Sequence, residues 1–437
     1  MPELAAHQWL MIVLLFVAGT ICGRIANRFI VRLPEHFDWR KAIRFGFSTE
    51  PRLGKQLPTR WYHALPIIGT ATIVGRSPFS GRRVLAREPW LELLNGLLFV
   101  VAYLFEIPPS ATDLMTSGLQ WKYGLTTEGV PVGLTEYGFL HVRLLYHLLL
   151  FEFLWVATFI DFDLFIIPDG VTVPGMIVGL GGMLIMPTLY VAPVWFEDPY
   201  LIQTLDRLVG ATQSSAFTEY GIPLWVRQAP FLHGAVVSLV GFVIGGGTIW
   251  AIRLIGFWVL KQEAMGFGDV ILMAMVGLYT GWQPIFPAII VGALLSLVII
   301  ILEFAWNTVA KKEYQMGYIP FGPYLSAGVI LTLLGWKWVW PFSEKLMSSG
   351  IYYWYMLIVM GVIMGATLML LQVLKRILGI ETEYFWETER WSLADQQWHY
   401  QSKYQTDPRN ASLKPAEHSL KWSGRGQLQQ RRWYRRN

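Results

Sequence analysis

Long apolar runs separated by polar stretches dominate the hydrophobic pattern of this 437-residue chain. About 20 consecutive apolar residues are enough to cross a bilayer as a helix. We therefore predict an all-α fold, a polytopic membrane helical bundle with about nine transmembrane spans. The predicted spans lie near residues 9–31, 90–107, 141–160, 171–193, 233–259, 268–281, 284–305, 321–341 and 351–375. The run at 268–281 is short, so we expect it to be tilted or partly re-entrant.

These spans divide the chain into four predicted regions. Residues 1–31 form a first transmembrane helix, which we expect to be retained because its positive charges follow the apolar run instead of preceding it. Residues 32–89 form a basic cytosolic loop and residues 90–380 a membrane-embedded domain. Residues 381–437 form a basic cytosolic tail, which we expect to be partly disordered.

Composition agrees with a membrane protein. Hydrophobic residues make up 54% of the chain and charged residues 15%, and the mean hydropathy is +0.41, outside the range of soluble globular proteins. The 21 Trp and 19 Tyr suit aromatic belts at the membrane surfaces. Because Cys22 is the single cysteine, the sequence excludes a disulfide framework and an all-cysteine metal site.

The distribution of Lys and Arg predicts the orientation. The loop from Arg32 to Glu88 carries eleven Lys and Arg against four acids, whereas the loops at 108–140 and 194–228 have more acids than bases. Cytoplasmic loops carry the Lys and Arg excess, so the first loop is predicted inside and the other two outside. This orientation places Asp161 and Asp269 at the same, cytoplasmic, face of the membrane.

Asp161 and Asp269 are the most informative polar residues, because each lies at the edge of an apolar run. A carboxylate costs several kcal/mol to bury in hydrocarbon, so an acid in this position usually has a function. Two such acids on different helices can share a proton, as an aspartyl protease dyad requires.

Each acid also has a structural interpretation. The Gly-Phe-Gly-Asp segment around Asp269 fits a tight turn with a helix cap, Asp169 fits the first turn of a helix, and Asp163 fits an interfacial acid. Glu152 and Glu303 lie inside apolar runs, where helix–helix hydrogen bonding is commoner than catalysis.

Five ordered motifs resemble those of the bacterial prepilin peptidases (type IV leader peptidases). The segment from Trp155 to Gly175 resembles the first catalytic motif, and the segment from Met265 to Ala274 resembles the Gly-x-Gly-Asp motif. Three further segments resemble the exit of the first helix, the entry to the second and a downstream signature: Gly23–Pro34, Glu88–Leu94 and Ile319–Leu325. The resemblance covers most of residues 15–340 and does not account for the tail.

The resemblance implies a Gly-x-Gly-Asp intramembrane aspartyl endopeptidase, a multi-pass protein of the bacterial inner membrane. It would remove the basic leader of type IV prepilins or type II secretion pseudopilins at the cytoplasmic face, with its peptidase domain at 90–380. Its partners would be that substrate and the lipid bilayer, with no nucleic acid, and its proteolysis would need no cofactor. The catalytic dyad would be Asp161 and Asp269. The supporting motif residues would be Asp163, Pro168, Asp169, Gly266, Gly268, Pro320, Gly322 and Pro323.

Many members of this family also methylate the new amino terminus with S-adenosylmethionine, and their first cytosolic loop often binds zinc through two Cys-x-x-Cys pairs. The corresponding stretch here, Gly75–Arg83, has no cysteine, which excludes a zinc ribbon. The histidines show no metal-ligand spacing either, so no metal is expected. Methylation stays an open activity, with S-adenosylmethionine as the cofactor it would use.

Two other functions fit acids at the ends of spans. One is a different intramembrane aspartyl protease. The Asp-x-Asp context and the Ile319–Leu325 segment make this interpretation less favourable. The other is a proton-coupled transporter or an inactive assembly scaffold, in which the acids handle protons. Cleavage of a prepilin-like peptide separates these interpretations from the peptidase.

Overall fold

The chain is helical throughout most of the part that the computed structural model describes, which confirms the all-α prediction there. The described residues are 2–35, 38–47, 60–73, 85–107, 136–197, 222–260, 265–309 and 320–348, with short stretches between 200 and 207 and between 355 and 373. The α-helices are α1 (Pro2–Arg32), α2 (Trp39–Phe47), α3 (Ile68–Thr72), α4 (Glu88–Glu106), α5 (Glu136–Leu164), α6 (Asp169–Ile185), α7 (Leu224–Gln228), α8 (Pro230–Leu260), α9 (Phe267–Thr280), α10 (Ile285–Val309), α11 (Gly322–Leu334) and α12 (Trp336–Met347).

Five of the described helices are long and apolar enough to cross a membrane, judged by length and composition: α1, α4, α5, α8 and α10. The helices α11 and α12 form a sixth candidate that is bent by 92°, with Gly335 between them. The described residues therefore contain five or six candidate spans of a multi-pass membrane protein, and nine spans are not confirmed. The predicted span at 351–375 and the tail at 381–437 lie largely or wholly outside the described residues.

Two of the predicted spans are shorter helices. The helix α6 has 17 residues and α9 has 14, so at about 1.5 Å per residue both are shorter than a hydrocarbon core of about 30 Å. The prediction of a continuous span over 171–193 was wrong, because the helix ends at Ile185, just before Pro187. Residues 186–197 continue as irregular, mostly buried chain, and Trp282 Nε1 donates to the Val194 carbonyl over 2.8 Å.

Glycines let the short helix α9 pack tightly against its long neighbour α8. Gly277 on α9 faces Gly241 on α8 so closely that a Cβ on either residue would meet the carbonyl of the other. Small residues at helix interfaces allow backbones to approach in this way. Every residue of α9 from Asp269 to Thr280 except Ile271 is buried. The position of α9, and of Asp269 at its start, is therefore fixed by packing along most of its length.

Part of the predicted basic loop, residues 60–73, packs onto the first two long helices. Arg24 donates to two backbone carbonyls of this segment, each over 2.5 Å. Glu92, which is 1% exposed, accepts hydrogen bonds from Thr70 Oγ1 at 2.7 Å and from the backbone N–H of Ile67 at 2.5 Å. These bonds anchor the segment at the end of the bundle where α1 ends and α4 begins.

Candidate active site

Three helix ends meet at one end of the bundle. The last turn of α5 carries Asp161, the first turn of α9 carries Asp269, and α11 begins at Gly322. These three helices pack against one another. Both aspartates are only 6% exposed. The structure therefore brings together two buried acids that are more than a hundred residues apart in the chain.

Gly322 lies close to both carboxylates. A Cβ added at this position would lie 2.6 Å from Asp161 Oδ2 and 3.1 Å from Asp269 Oδ1. The two oxygens are thus within about 6 Å of each other, a separation at which carboxylates influence each other's ionisation. The two side chains interact electrostatically, and the backbone N–H of Gly322 is hydrogen-bonded to the Asp161 carboxylate. A residue with any side chain would fill the space between the two acids.

The segment around Gly322 is built to start a helix at this point. Phe321 is the N-cap residue of α11, and Pro323 follows at the second helical position. Proline suits that position because its fixed φ matches the helix and its missing N–H would have no partner there. Pro320 lies just before the cap and is half-buried. These residues direct the Gly322 backbone N–H toward the carboxylates.

Two glycines precede Asp269. Gly266 is the N-cap residue of α9, with extended backbone, and a Cβ at Gly268 would lie 3.1 Å from Cβ of Ile167. The side chain of Ile167 also lies 3.1 Å from the position of a Cβ at Gly322. The loop that follows Asp161 therefore packs against the starts of both α9 and α11, which closes the site on one side.

The loop after α5 turns sharply. Phe165 has a left-handed backbone with φ of 57°, which is uncommon for a residue with a bulky side chain, and its N–H donates to the Asp161 carbonyl over 2.9 Å. Pro168 then caps α6 in extended conformation, and Asp169 lies exposed in the first turn of that helix. Asp169 thus occupies the helix-start position that the sequence predicted.

Asp163 does not join the two buried acids. Its carboxylate forms a two-point ion pair with Arg87, in which Nη1 donates to Oδ1 over 2.8 Å and Nη2 donates to Oδ2. Sequence reasoning treated Arg87 only as one charge of the basic loop. The pairing has no local signal in the sequence because the two residues are 76 positions apart.

The acids inside the spans have different surroundings. Glu152 accepts a hydrogen bond from Asn95 Nδ2 over 2.6 Å, which supports its interpretation as a helix–helix contact. Nine residues separate Glu152 from Asp161, so at 100° per residue the two side chains project from opposite faces of α5. Glu303 is exposed on α10. Within the described ranges, no group of three or more His, Cys, Asp or Glu is arranged to hold a metal ion.

The described part of the basic loop uses its polar groups to contact the helices. In residues 60–73, Thr70 and the backbone N–H of Ile67 are bonded to Glu92, and two backbone carbonyls accept bonds from Arg24. These described groups bond to the membrane helices and do not fit a cofactor site. The stretch Gly75–Arg83 lies outside the described residues.

Comparison with known proteins finds two matching family models. A model described as Type IV leader peptidase family matches residues 220–301, which include Asp269, and a model described as Bacterial Peptidase A24 N-terminal domain matches residues 17–105. The chain is similar to the type IV leader peptidases in these two segments, which supports the resemblance. The matched segments contain three of the five motifs, whereas the segments 155–175, with Asp161, and 319–325 lie outside them.

Several curated proteins with the name prepilin leader peptidase/N-methyltransferase are similar to this chain. The protein of Xanthomonas campestris pv. campestris is 24% identical over 72% of this chain and 89% of its own length. The proteins of Klebsiella pneumoniae and Aeromonas salmonicida are each 25% identical, over 65% and 75% of this chain and 91% and 92% of their own lengths. No solved structure matches the chain.

Proposed function

We propose that this protein is an aspartyl endopeptidase that removes the leader from type IV prepilins or type II secretion pseudopilins. The observation that carries the proposal is the meeting of two buried carboxylates, Asp161 and Asp269, around Gly322. The matched family model and the names of the similar proteins support the substrate class. The pair of acids supports hydrolysis by an activated water, which is the chemistry of an aspartyl dyad.

The mechanism follows from the proximity of the two acids. Two neighbouring carboxylates do not both ionise readily, so they hold one proton between them and titrate as a coupled pair. The ionised partner accepts a proton from a water molecule, whose oxygen then attacks the carbonyl carbon of the scissile peptide bond. The protonated partner donates to the carbonyl oxygen. Collapse of the tetrahedral intermediate breaks the C–N bond, and a proton passes from the dyad to the leaving amine.

The open space at Gly322 has a role in this mechanism. Because Gly322 contributes no side chain next to Asp161 Oδ2 and Asp269 Oδ1, a water molecule or a peptide carbonyl can approach both carboxylates from that side. The Gly322 N–H bond to Asp161 holds that carboxylate in position through backbone, which moves less than a side chain. We assign Gly322 as the residue that keeps the reaction site open.

We further propose that the protein lies in the bacterial inner membrane with this site at the cytoplasmic face. Support comes from the Lys and Arg excess of the first loop. Arg87, at the end of that loop, pairs with Asp163 only two residues from Asp161. The loop and the acids therefore share one end of the bundle, and the orientation of the loop sets the orientation of the site.

The names of the relatives include N-methyltransferase, which is compatible with S-adenosylmethionine as a methyl donor. We propose that cleavage by Asp161 and Asp269 proceeds without S-adenosylmethionine and is therefore separable from methylation. A zinc ribbon plays no part in this proposal, since the loop has no cysteine.

Mass spectrometry of a processed pilin tests the proposal. The full-length protein, purified in detergent, is incubated with a prepilin-like peptide with and without S-adenosylmethionine. We expect a single cut between the leader and the mature segment in both reactions, and any methyl group appears as a 14 Da increase only with the donor. Intact peptide with a correctly folded protein would contradict the proposal and favour a transporter or a scaffold.

A further inference from the structure

We propose that Arg87 is a positioning residue for the Asp161/Asp269 site and acts through Asp163. The inference rests on the proposed function, because it assigns a role within that reaction. It goes beyond the two acids by linking the end of the basic loop to the geometry of the dyad. Three observations carry it: the shape of the ion pair, the rigid mounting of Arg87, and the turn that follows Asp163.

The ion pair is a two-point contact. Both terminal nitrogens of Arg87 donate to the two carboxylate oxygens of Asp163, one of them over 2.8 Å. The two side chains are 35% and 20% exposed, so the pair is partly shielded from water. A planar guanidinium facing a carboxylate fixes orientation as well as distance. A lysine in its place would supply the charge without the two parallel N–H donors.

Arg87 is held on a rigid part of the loop. It is the N-cap residue of α4, within a turn in which the Leu85 N–H donates to Glu88 Oε1 over 2.8 Å. The Glu88 carbonyl in turn accepts a bond from Asn27 Nδ2 over 3.0 Å, and Glu88 is buried. These bonds tie the turn to both α1 and α4. The guanidinium therefore extends from an anchored backbone toward α5.

Asp163 lies in the last turn of α5, next to a strained turn of the chain. The helix ends one residue later, and Phe165 has the disfavoured left-handed backbone while its side chain is 41% exposed. The Phe165 N–H donates to the carbonyl of Asp161 itself. Loss of the Arg87 contact would allow this last turn to fray, and Asp161 would move with it. A displacement of about 1 Å at a catalytic group can lower a rate by about a hundredfold.

Four variants of the full-length protein test the inference through the rate of peptide cleavage. We expect Arg87→Ala to lower kcat by about tenfold to a hundredfold with little change in KM, because the catalytic geometry is lost and not the substrate contacts. Arg87→Lys keeps the charge and should fall between Arg87→Ala and the wild type. Asp163→Asn and the double variant Arg87→Ala/Asp163→Asn should have the same kcat as Arg87→Ala, because the two residues act as one unit.

Arg40→Ala is the matched control, because it removes the same charge from an exposed position in the same loop. It should cleave like the wild type. Equal kcat for wild type, Arg87→Ala and Arg87→Lys would overturn the inference and leave the proposed function standing, as would additive losses in the double variant. If Arg87→Ala does not fold, the kcat of Arg87→Lys decides. A folded wild type that cleaves nothing would refute the proposed function itself.

Discussion

Two of the regions of this bundle that hold buried carboxylates differ in their surroundings. In the contact between the long helices and the loop, Glu92 accepts hydrogen bonds from Thr70, from the Ile67 N–H and from Asn27. In the region where α5, α9 and α11 meet, Asp161 has the Gly322 N–H and a second carboxylate, that of Asp269. Within the described residues, neither aspartate forms an ion pair with Lys or Arg, although Asp163 does.

The difference shows that burial alone does not mark a catalytic acid in a membrane protein. A carboxylate surrounded by donors serves as a structural acceptor. Two carboxylates that face each other with few donors must share a proton, and a shared proton is what acid–base chemistry requires. Their location at helix ends also gives water and substrate a route that the interiors of the helices do not offer.

The largest effect on the cleavage rate is expected at Asp161, and a second acid on the same helix serves as its control. Asp161→Asn should reduce the cleavage rate by about a thousandfold or more, because an amide can neither accept nor donate the required proton. Glu152→Gln removes a carboxylate from the opposite face of α5, and its amide oxygen can still accept the bond from Asn95. The rate of Glu152→Gln should stay close to that of the wild type in the same peptide assay. Loss of cleavage in both variants would show that Asp161 does not differ in function from a structural acid on the same helix.

A smaller loss is expected when the gap between the acids is filled. Gly322→Ala would place a methyl group 2.6 Å from Asp161 Oδ2, so the carboxylates must move and the rate should fall by about a hundredfold. Gly181→Ala is the control, because its Cβ would meet nothing within 4 Å. Cleavage rates and thermal unfolding in detergent are measured for both variants. A fully active Gly322→Ala would show that the reaction does not occur in this gap.

The smallest effect on rate is expected at Glu92. Glu92→Gln replaces one acceptor oxygen by an amide NH₂, which would face Thr70 or the Ile67 N–H. An unsatisfied buried donor costs about 1–3 kcal/mol, so the unfolding temperature should drop while kcat is retained. Asp161→Asn should do the opposite and lose activity without losing stability. A stable but inactive Glu92→Gln would place Glu92 with the catalytic acids.

Part of this account could be predicted from the sequence. Acids at the ends of apolar runs are visible in the pattern, and charge counting put Asp161 and Asp269 on one membrane face. Hydropathy did not separate a span from buried irregular chain, so residues 186–193 were assigned to a helix that ends at Ile185. It also did not reveal the bend at Gly335, because both arms of the bend are apolar.

Contacts made by the tertiary fold were beyond sequence reasoning. The Arg87–Asp163 pair joins residues 76 positions apart, and neither residue type specifies a partner. The left-handed backbone of Phe165 goes against the preference of a phenylalanine. Only the surrounding structure imposes it. The place of Gly322 between the two acids likewise depends on how three helices pack, since the motif around it reads locally as a helix start.

The most direct test of the central claim is a double-variant cycle on the two acids. The cleavage rates of Asp161→Asn, Asp269→Asn and the combined variant are measured on one prepilin-like peptide, with Glu152→Gln as the folded control. If the two carboxylates form one catalytic unit, each single variant and the double variant should have the same residual rate. Cleavage that survives either single substitution, or losses that multiply in the double variant, would contradict the shared dyad.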